Sequence, residues 1–409
     1  MTRTVFRGGT IFDGSAARPT PGDVVVEGRR ILDVGTDLDG DEAVDCAGLS
    51  VLPGLFDCHV HILYSGLDTM RALDTPLSYY FYEAAQNLAT VLGIGITTVR
   101  DASGADLGMK RAVEDGLVEG PRLLVSLTML SQTGGHGDPW HVCGSEVDLF
   151  PAYPGRPSGI VDGPDEMRRK VRQLIREGAD VIKVATSGGV LSPRDDPRHG
   201  HFRDGELAVL VEEASAANRF VMAHAQAAEG IKAAVRAGIR SIEHGIYLDD
   251  EAIEMMLERG TWLVPTLIAP TGVIAAAEAG VAIPEASVRK AHEVVATHRD
   301  SFRRAVEAGV RVAMGTDCPI SPHGTNLDEL GAMAESSSMS PLEAWRAATS
   351  SAAELCGLDG ELGTLEPGKR ADLVLLDGDL GDLSGLEKRV AGVWKDGECK
   401  GGRPALTPS

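Results

Sequence analysis

The chain has 409 residues, of which 43% are hydrophobic and 24% are charged, a composition typical of a globular protein. Its length suits a barrel of about 250 to 300 residues with a smaller appendage. The formal net charge of −21 disfavours binding to phosphodiester backbones and to anionic membrane surfaces. We therefore expect neither nucleic acid nor a membrane as a partner, and the motifs of the chain predict a small-molecule substrate instead.

The sequence also predicts where the protein resides. No apolar run reaches the roughly 18 residues that a transmembrane helix needs, and the segment MTRTVFRGGTIFDG lacks the apolar core of a signal peptide. The six cysteines are scattered, with no C-x-x-C pair. Free thiols of this kind fit a reducing cytoplasm better than a disulfide framework, so we predict a cytoplasmic protein.

The predicted elements change character twice along the chain. Residues 1–52 and 361–401 contain short strands and turns, whereas short apolar segments alternate with longer helical ones in between. Helical segments such as those from Asp165 and Asp250 open with acidic residues and end at or near glycine. The eight predicted strands begin at Gly54, Gly95, Pro121, Ala179, Phe220, Ser241, Trp262 and Arg311.

Eight strand–helix units predict an α/β fold, a (β/α)8 TIM barrel over residues 53–360. A doubly wound open sheet is the alternative, although it does not need eight units. The flanking segments 1–52 and 361–409 are expected to pair as one small, discontinuous β-sandwich domain. The long connections 131–164 and 186–203 are candidate substrate loops.

Two histidines on the first strand are candidate metal ligands. His59 and His61 lie at i and i+2, so both imidazoles point to one face of the strand. Asp57 shares that face and is a candidate to orient a ligand imidazole. An isolated H-x-H pattern is more often incidental than metal-binding, so the argument depends on its companions. These companions are Lys183, His224, His244 and Asp317.

Each companion has an ordinary explanation when taken alone. Lys183 lies in an apolar strand, and it either extends toward solvent or a carboxylate, or reacts as a neutral amine with carbon dioxide to give a bridging carbamate. A single histidine such as His224 or His244 is more often a buried core residue. Asp317 ends the eighth predicted strand, where a barrel places catalytic side chains. Together, the six residues occupy the tips of strands 1, 4, 5, 6 and 8, which a barrel brings to one mouth.

This ordered set, with PGLFDCHVH, GITTVRD, GTD and GTLEPGKRADLVLLD in sequence, resembles the amidohydrolase superfamily across essentially the whole chain. The stretches SQTGGHGD, IKVATSGGVLSP, SIEHGIYLD and HGTNLDEL look like the branch of Xaa-Pro dipeptidases and imidazolonepropionase-like hydrolases. The resemblance implies that His59 and His61 hold one metal and that His224 and His244 hold the other. It also implies that a carboxylated Lys183 bridges them, that Asp317 binds the first metal, and that the protein is a homo-oligomer.

The ligand chemistry agrees with two divalent metal ions, Zn²⁺ first and Mn²⁺, Co²⁺ or Fe²⁺ as alternatives. Without carboxylation of Lys183 the site would hold a single ion. Two ions about 3.5–4 Å apart share a hydroxide whose pKa falls to about 7, which provides a nucleophile at neutral pH. Asp317 then either carries the proton from this hydroxide to the leaving amine or serves only as a ligand.

Candidate substrate contacts are His136, Tyr247, Arg203 and His323. His136 and Tyr247 are expected to donate hydrogen bonds to the developing oxyanion or to bind a substrate carboxylate, although a loop-capping histidine and a packed tyrosine are equally ordinary explanations. Arg203 ends a basic loop that is either a carboxylate site or a solvated segment. The basic residues of that loop are Arg194, Arg198, His199, His201 and Arg203.

The predicted function is hydrolysis of an amide bond in a dipeptide or N-acyl amino acid with a free carboxylate, with proline or a hydrophobic residue on the C-terminal side. Opening of a cyclic amide such as an imidazolone is the alternative from the same branch. Hydrolysis of a lactone, carbamate or organophosphate also fits such a metal site, because the barrel does not select the substrate. A non-catalytic binding protein with structural metals is the alternative from another class.

Overall fold

The computed structural model describes residues 2–15, 18–141, 143–146, 151–402 and 406–408. Its strands are β1 (Arg3–Ile11), β2 (Thr20–Glu27), β3 (Arg30–Gly35), β4 (Glu42–Asp45), β5 (Leu49–Pro53), β6 (Leu55–Val60), β7 (Ile96–Asp101), β8 (Arg122–Val125), β9 (Met129–Leu130), β10 (Val181–Ala185), β11 (Phe220–Ala225), β12 (Ser241–His244), β13 (Trp262–Val264), β14 (Leu373–Asp377), β15 (Val390–Lys395), β16 (Glu398–Gly402) and β17 (Leu406–Pro408). Its helices are α1 (Thr69–Asp74), α2 (Leu77–Gly93), α3 (Leu107–Glu114), α4 (Pro164–Arg176), α5 (Asp204–Ala216), α6 (Ala228–Ala237), α7 (Asp250–Arg259), α8 (Ile268–Glu278), α9 (Glu285–Ala308), α10 (Asp328–Glu335), α11 (Pro341–Ala347) and α12 (Ser350–Cys356).

Strands from both ends of the chain form one nine-stranded sheet. Its order is β16-β15-β14-β5-β1-β2-β3, and β4 pairs with both β1 and β17. The two ends join where β14 runs antiparallel to β5, and Phe6 packs edge-on against Trp394 with ring centroids 4.8 Å apart. The flanking segments therefore meet in a common sheet. The limits 1–52 and 361–409 remain predictions, and residues 1, 16–17, 403–405 and 409 of these segments lie outside the described residues.

The middle of the chain is α/β with parallel sheets. One sheet has the order β13-β12-β11-β10-β9 and the other has the order β6-β7-β8, and neighbouring strands in both are parallel. Seven of the eight predicted strands are present as β6, β7, β8, β10, β11, β12 and β13. Their buried, branched side chains, with helices packed around them, form the largest apolar core.

The eighth predicted strand is irregular. This segment makes two isolated parallel bridges. Val312 pairs with Leu263 of β13, and Cys318, just beyond the predicted strand, pairs with Val60 of β6. Asp317 has a φ of 62°, which an extended strand does not adopt, so the strand cannot continue regularly through its predicted end. Gly315 also lies very close to both neighbours, because a Cβ atom there would be 2.4 Å from a methyl carbon of Val264 and 3.0 Å from the backbone nitrogen of His59. Only glycine fits at that position.

The helices begin and end as the sequence predicts. In α7, the Asp249 side chain accepts a hydrogen bond from the backbone nitrogen of Ala252 at 2.8 Å, and Gly260 closes the helix with a φ of 64°. Helix α4 likewise opens with two acidic residues in its first turn. None of the described helices is long and apolar enough to cross a membrane.

Candidate metal centre and substrate cavity

All six predicted metal ligands line one cavity of about 490 Å³. The four histidines come from the carboxyl ends of parallel strands or directly after them, Lys183 lies at the middle of β10, and Asp317 ends the irregular eighth segment. His59, His244 and Asp317 form the tightest group, with ligand atoms that all lie within 4.8 Å of one another. The topology therefore brings together residues that are up to 258 positions apart in sequence, from His59 to Asp317.

The donor atoms of this group face one another. The Nε2 atoms of His59 and His61 lie 3.3 and 3.0 Å from Oδ1 of Asp317. His59 donates from Nδ1 to Glu243 at 2.8 Å, and His61 donates from Nδ1 to the carbonyl oxygen of Ser103 at 2.8 Å. Because Nδ1 carries the proton in both rings, each Nε2 keeps a lone pair. Lone pairs and a carboxylate that converge in this way suit a divalent cation.

The two later histidines have complementary orientations. His244 pairs its Nδ1 with the hydroxyl of Thr266 at 2.7 Å, which leaves its Nε2 for the site. His224 instead donates from Nε2 to the carbonyl oxygen of Gly188 at 3.1 Å, which leaves its Nδ1. Their rings are 4.6 Å apart. A carbonyl oxygen only accepts, so His224 is held in one tautomer, and the contact with Thr266 fixes the orientation of the His244 ring.

Lys183 is a buried amine beside this group. Its side chain is only 1% exposed, and its Nζ lies 3.4 Å from Nε2 of His59. Burial lowers the pKa of Lys183 to about 8, although the nearby carboxylates of Glu243 and Asp317 oppose the change. A substantial neutral fraction near neutral pH is what reaction with carbon dioxide requires.

Two of the candidate ligands have strained backbones. His244 has a φ of 73° and Asp317 has a φ of 62°, in the left-handed region that residues other than glycine rarely occupy. Such strain persists where the surrounding structure enforces it, and it is concentrated at functional sites. Here it lies at the ends of the two elements that present these side chains.

Glu243 is a functional residue that the sequence reasoning did not single out. It is fully buried, contacts His59, and accepts hydrogen bonds from the guanidinium of Arg100 at 2.9 and 3.1 Å. Although burial opposes ionisation, the charge of Arg100 and the bond from His59 hold the pKa of Glu243 at about 2. The available signal was an acidic residue directly before a ligand histidine in SIEHG, together with an arginine in the strand GITTVRD.

Asp57 has a different role from the one predicted. Its carboxylate accepts hydrogen bonds from the Thr316 hydroxyl at 2.7 Å, from Asn326 at 2.9 Å and from the backbone nitrogen of His59 at 3.1 Å. It therefore holds the backbone of β6 against the segment that ends at Asp317, while Glu243 orients the imidazole.

His136 is the predicted substrate contact that lines the cavity. Its ring stacks on His224 with centroids 4.0 Å apart and an interplanar angle of 15°. Its Nδ1 lies 2.7 Å from the Ser192 hydroxyl and 3.4 Å from a carboxylate oxygen of Asp195. Although burial opposes ionisation of Asp195, the nearby His136 ring and the hydrogen bond from Ser192 hold the pKa of that carboxyl at about 2.

The other three predicted contacts are not among the described residues that line this cavity. Tyr247 packs beside a small apolar cluster, and Arg203 precedes α5 and donates to the carbonyl oxygen of Phe202. The buried ring of His323 pairs with the carbonyl oxygen of Tyr64 at 3.0 Å. Arg194 of the same basic loop lines the cavity instead of Arg203.

The cavity walls are largely apolar. A set of aliphatic residues, prolines and methionines surrounds the polar group at its base: Leu67, Met70, Met129, Val190, Leu191, Ile246, Ala269, Pro270, Val273, Val281, Ile283, Pro284, Pro319 and Ile320. Arg194 and His141 are joined by a 2.8 Å hydrogen bond in the same lining. Such a cavity suits a small substrate with an apolar body and a polar end.

A model of the amidohydrolase family matches residues 50–402. The chain belongs to the amidohydrolase family. This amidohydrolase is 38% identical to the ochratoxinase of Aspergillus niger over 380 residues, which cover 88% of this chain and 77% of that relative. It is therefore a hydrolase that acts on amide bonds.

Solved structures agree with this assignment. The crystal structure of a Xaa-Pro dipeptidase with bound methionine in the active site is 33% identical, with a TM-score of 0.89 and coverage of 97% of this chain and 99% of that one. A prolidase complexed with N-methylphosphonate-L-proline is 37% identical, with the same TM-score and coverage. The family is metal-dependent, and His59, His244 and Asp317 are the candidate metal site of this amidohydrolase.

Proposed function

We propose that this amidohydrolase cleaves the amide bond of a dipeptide or N-acyl amino acid that ends in proline or a hydrophobic residue with a free carboxylate. The observation that carries the proposal is one cavity that combines the six candidate ligands, apolar walls and a guanidinium. The similar proteins, an ochratoxinase and two proline-directed peptidases, support the same class of bond.

Arg194 is the proposed partner of the substrate carboxylate. Its guanidinium donates to the carbonyl oxygen of Trp140 and to Nδ1 of His141, both uncharged acceptors. Arg71, which also lines the cavity, is already paired with Glu83 at 2.5 Å. Among the described ion pairs Arg194 has no carboxylate partner, so its charge is available to an anionic substrate.

Two divalent metal ions, Zn²⁺ first and Mn²⁺, Co²⁺ or Fe²⁺ as alternatives, would supply Lewis acidity and an activated water. His59, His61 and Asp317 would hold one ion, His224 and His244 would hold the other, and a carboxylated Lys183 would bridge them.

The chain's own residues complete the proposed reaction. Asp317 accepts the proton of the attacking water and passes it to the leaving amine, because its Oδ1 lies at the centre of the ligand group. The Nε2 of His136 accepts a hydrogen bond from an N–H group of the substrate rather than donating to the oxyanion, because the proton of this ring lies on Nδ1 toward Ser192. The apolar walls exclude water from the side chains that flank the bond.

We also propose that the two parallel sheets form a single closed eight-stranded barrel. The support is that residues 311–318 hydrogen-bond to one edge strand of each sheet, with the nitrogen of Ala313 donating to the oxygen of Leu263 at 3.1 Å and that of Cys58 donating to the oxygen of Met314 at 2.9 Å. On the other side, the nitrogen of Asp180, just before β10, donates to the oxygen of Val125 of β8 at 2.8 Å. In such a barrel, the carboxyl ends of all strands open on one mouth.

A substrate panel tests the proposed function. The purified protein is incubated with dipeptides and N-acyl amino acids that vary in their C-terminal residue, and release of free amine is measured. The highest kcat/KM is expected for proline or a hydrophobic residue with a free carboxylate. Preference for a cyclic amide, a lactone or an organophosphate would refute the proposal.

A further inference from the structure

The loop after β10 holds His136 through a chain of polar contacts. The Nδ1 of His136 lies 2.7 Å from the hydroxyl of Ser192, and that hydroxyl is in close hydrogen-bond contact with the carboxylate of Asp195. The other carboxylate oxygen of Asp195 accepts from the backbone nitrogen of Gly189 at 3.0 Å. Gly189, Ser192 and Asp195 belong to one turn of this loop, and His136 reaches it from the connection after β9.

The chemistry of the groups fixes the direction of each hydrogen bond. An ionised carboxylate only accepts, so the Ser192 hydroxyl donates to Asp195. The hydroxyl oxygen is then an acceptor for His136, which must carry its proton on Nδ1. The Nε2 of His136 is left as the nitrogen for the cavity.

Lys290 of α9 secures this turn from behind. Its side chain is buried, and its Nζ lies 3.0, 2.7 and 2.5 Å from the backbone oxygens of Gly189, Ser192 and Asp195 and 3.2 Å from the Asp195 carboxylate. One ammonium therefore joins three loop carbonyls and balances the buried negative charge. The neutralised turn keeps its shape inside the protein.

Gly189 allows the ring to lie flat on this turn. A Cβ atom at that position would be 2.2 Å from a ring carbon of His136. The imidazole thus packs between the bare backbone of Gly189 on one side and the ring of His224 on the other. Its position is set by stacking, and its rotation is set by the contact with Ser192.

We infer that Ser192, Asp195 and Lys290 are positioning residues that hold His136 in a single tautomer and orientation for contact with the substrate. This inference rests on the proposed function, in which Nε2 of His136 accepts a hydrogen bond from an N–H group of the substrate. The chain of hydrogen bonds from His136 through Ser192 to Asp195, here called the relay, needs no net proton transfer, since Asp195 remains a carboxylate throughout. A competing explanation is that the same contacts serve only to fold the loop.

Replacing Asp195→Asn with Asp196→Asn as a matched control separates these explanations. Either orientation of the new amide places its NH2 against a donor, at Gly189 or at Ser192, which disturbs the relay. Asp196 is adjacent but pairs with the exposed Arg198 at 2.9 Å. We expect Asp195→Asn to lower kcat by about 10-fold with little change in KM, because a misoriented ring no longer positions the substrate, and Asp196→Asn to leave both unchanged.

A double-mutant comparison tests whether Asp195 acts through His136. In the background of His136→Gln, the change Asp195→Asn is expected to have almost no further effect on kcat. Ser192→Ala, which removes only one hydroxyl, is expected to behave in the same way. Independent losses that multiply would overturn the inference and indicate a folding role.

A spectroscopic readout keeps this test separate from the proposed function. In NMR of the zinc-loaded protein with isotope-labelled histidine, the His136 signal, identified by its absence in His136→Gln, is expected to show the Nδ1-protonated tautomer. The tautomer should persist in Asp196→Asn and change in Asp195→Asn. An Nε2-protonated wild type, or an unchanged tautomer in Asp195→Asn, would overturn the relay. Lack of turnover of every panel substrate would refute the proposed function alone.

Discussion

In each histidine of the candidate metal site, the ring nitrogen that is not offered to the metal takes part in a hydrogen bond. His59, His61 and His244 each engage Nδ1, and His224 engages Nε2, so each ring presents one defined nitrogen. Partners of this kind raise the basicity of a ligand and fix its orientation. The ligand group is therefore largely preorganised.

The carbamate proposal leads to a prediction for Lys183→Ala. This change removes the bridging group, so metal content should fall and activity should fall by about 100-fold or more, with partial rescue by short carboxylic acids that occupy the vacated space. Metal analysis and amine release measure the two effects. Lys170→Ala is the control, because the buried amine of this α4 residue donates a hydrogen bond to the carbonyl oxygen of Ser158. Full metal occupancy in Lys183→Ala would count against the bridge.

The sequence predicted the candidate metal ligands but not the residues that orient them. The six predicted ligands line one cavity because ligand-type residues at strand ends are a strong joint pattern. Glu243 was not recognised, because one buried acidic residue has no distinctive periodicity and its partner Arg100 is 143 positions away. Pairings between distant strands are a property of the folded topology.

At the scale of elements, the loop after β10 carries both the His136 support and the proposed carboxylate partner. Several arginines of this loop are indistinguishable in sequence, since the side-chain direction in an irregular segment has no period. The structure directs Arg194 to the cavity, while Arg203 precedes α5. The close approach at Gly315 in the eighth predicted strand is likewise a tertiary contact, which the sequence pattern does not show.

The change Arg194→Gln tests the carboxylate partner. Loss of a charge-assisted hydrogen bond, about 1.5–3 kcal/mol, should raise KM for free-carboxylate substrates by about 10- to 100-fold with a small effect on kcat. Substrates with an amidated C-terminus should show no such increase. Arg198→Gln, in the same loop but paired with Asp196, is the control. An equal rise in KM for both substrate types would argue against the assignment.

Helix α9 contributes a pH-dependent element. His298 is buried and donates to the backbone oxygen of His244 at 2.9 Å, and burial lowers the pKa of His298 to about 4. The unfolded chain binds this proton first, near pH 6.5, so the stability from the neutral ring is present above that pH and is lost as pH falls toward 4.

Denaturation between pH 7 and 4 checks this sign. We expect His298→Gln to reduce the pH dependence of the unfolding free energy relative to the wild type, by at most about 1.4 kcal/mol per pH unit. Identical slopes for the two proteins would mean that His298 is not held neutral by the fold.

At the scale of the whole molecule, the topology turns a linear order of short motifs into one site. The strands present their carboxyl ends together, and the first and last parts of the chain meet in a separate sheet through β5 and β14. The order of strand–helix units made the α/β class predictable. The large negative charge identifies no partner, and the homo-oligomer and the cytoplasmic location remain predictions.

Metal removal and reconstitution of the purified protein test the central claim most directly. The metal is removed by a chelator, Zn²⁺ is titrated back, and amine release from the best panel substrate is recorded beside bound metal. We predict that turnover disappears in the metal-free protein and returns in proportion to bound zinc, with a plateau near two ions per chain. Undiminished turnover by the metal-free protein would contradict the account.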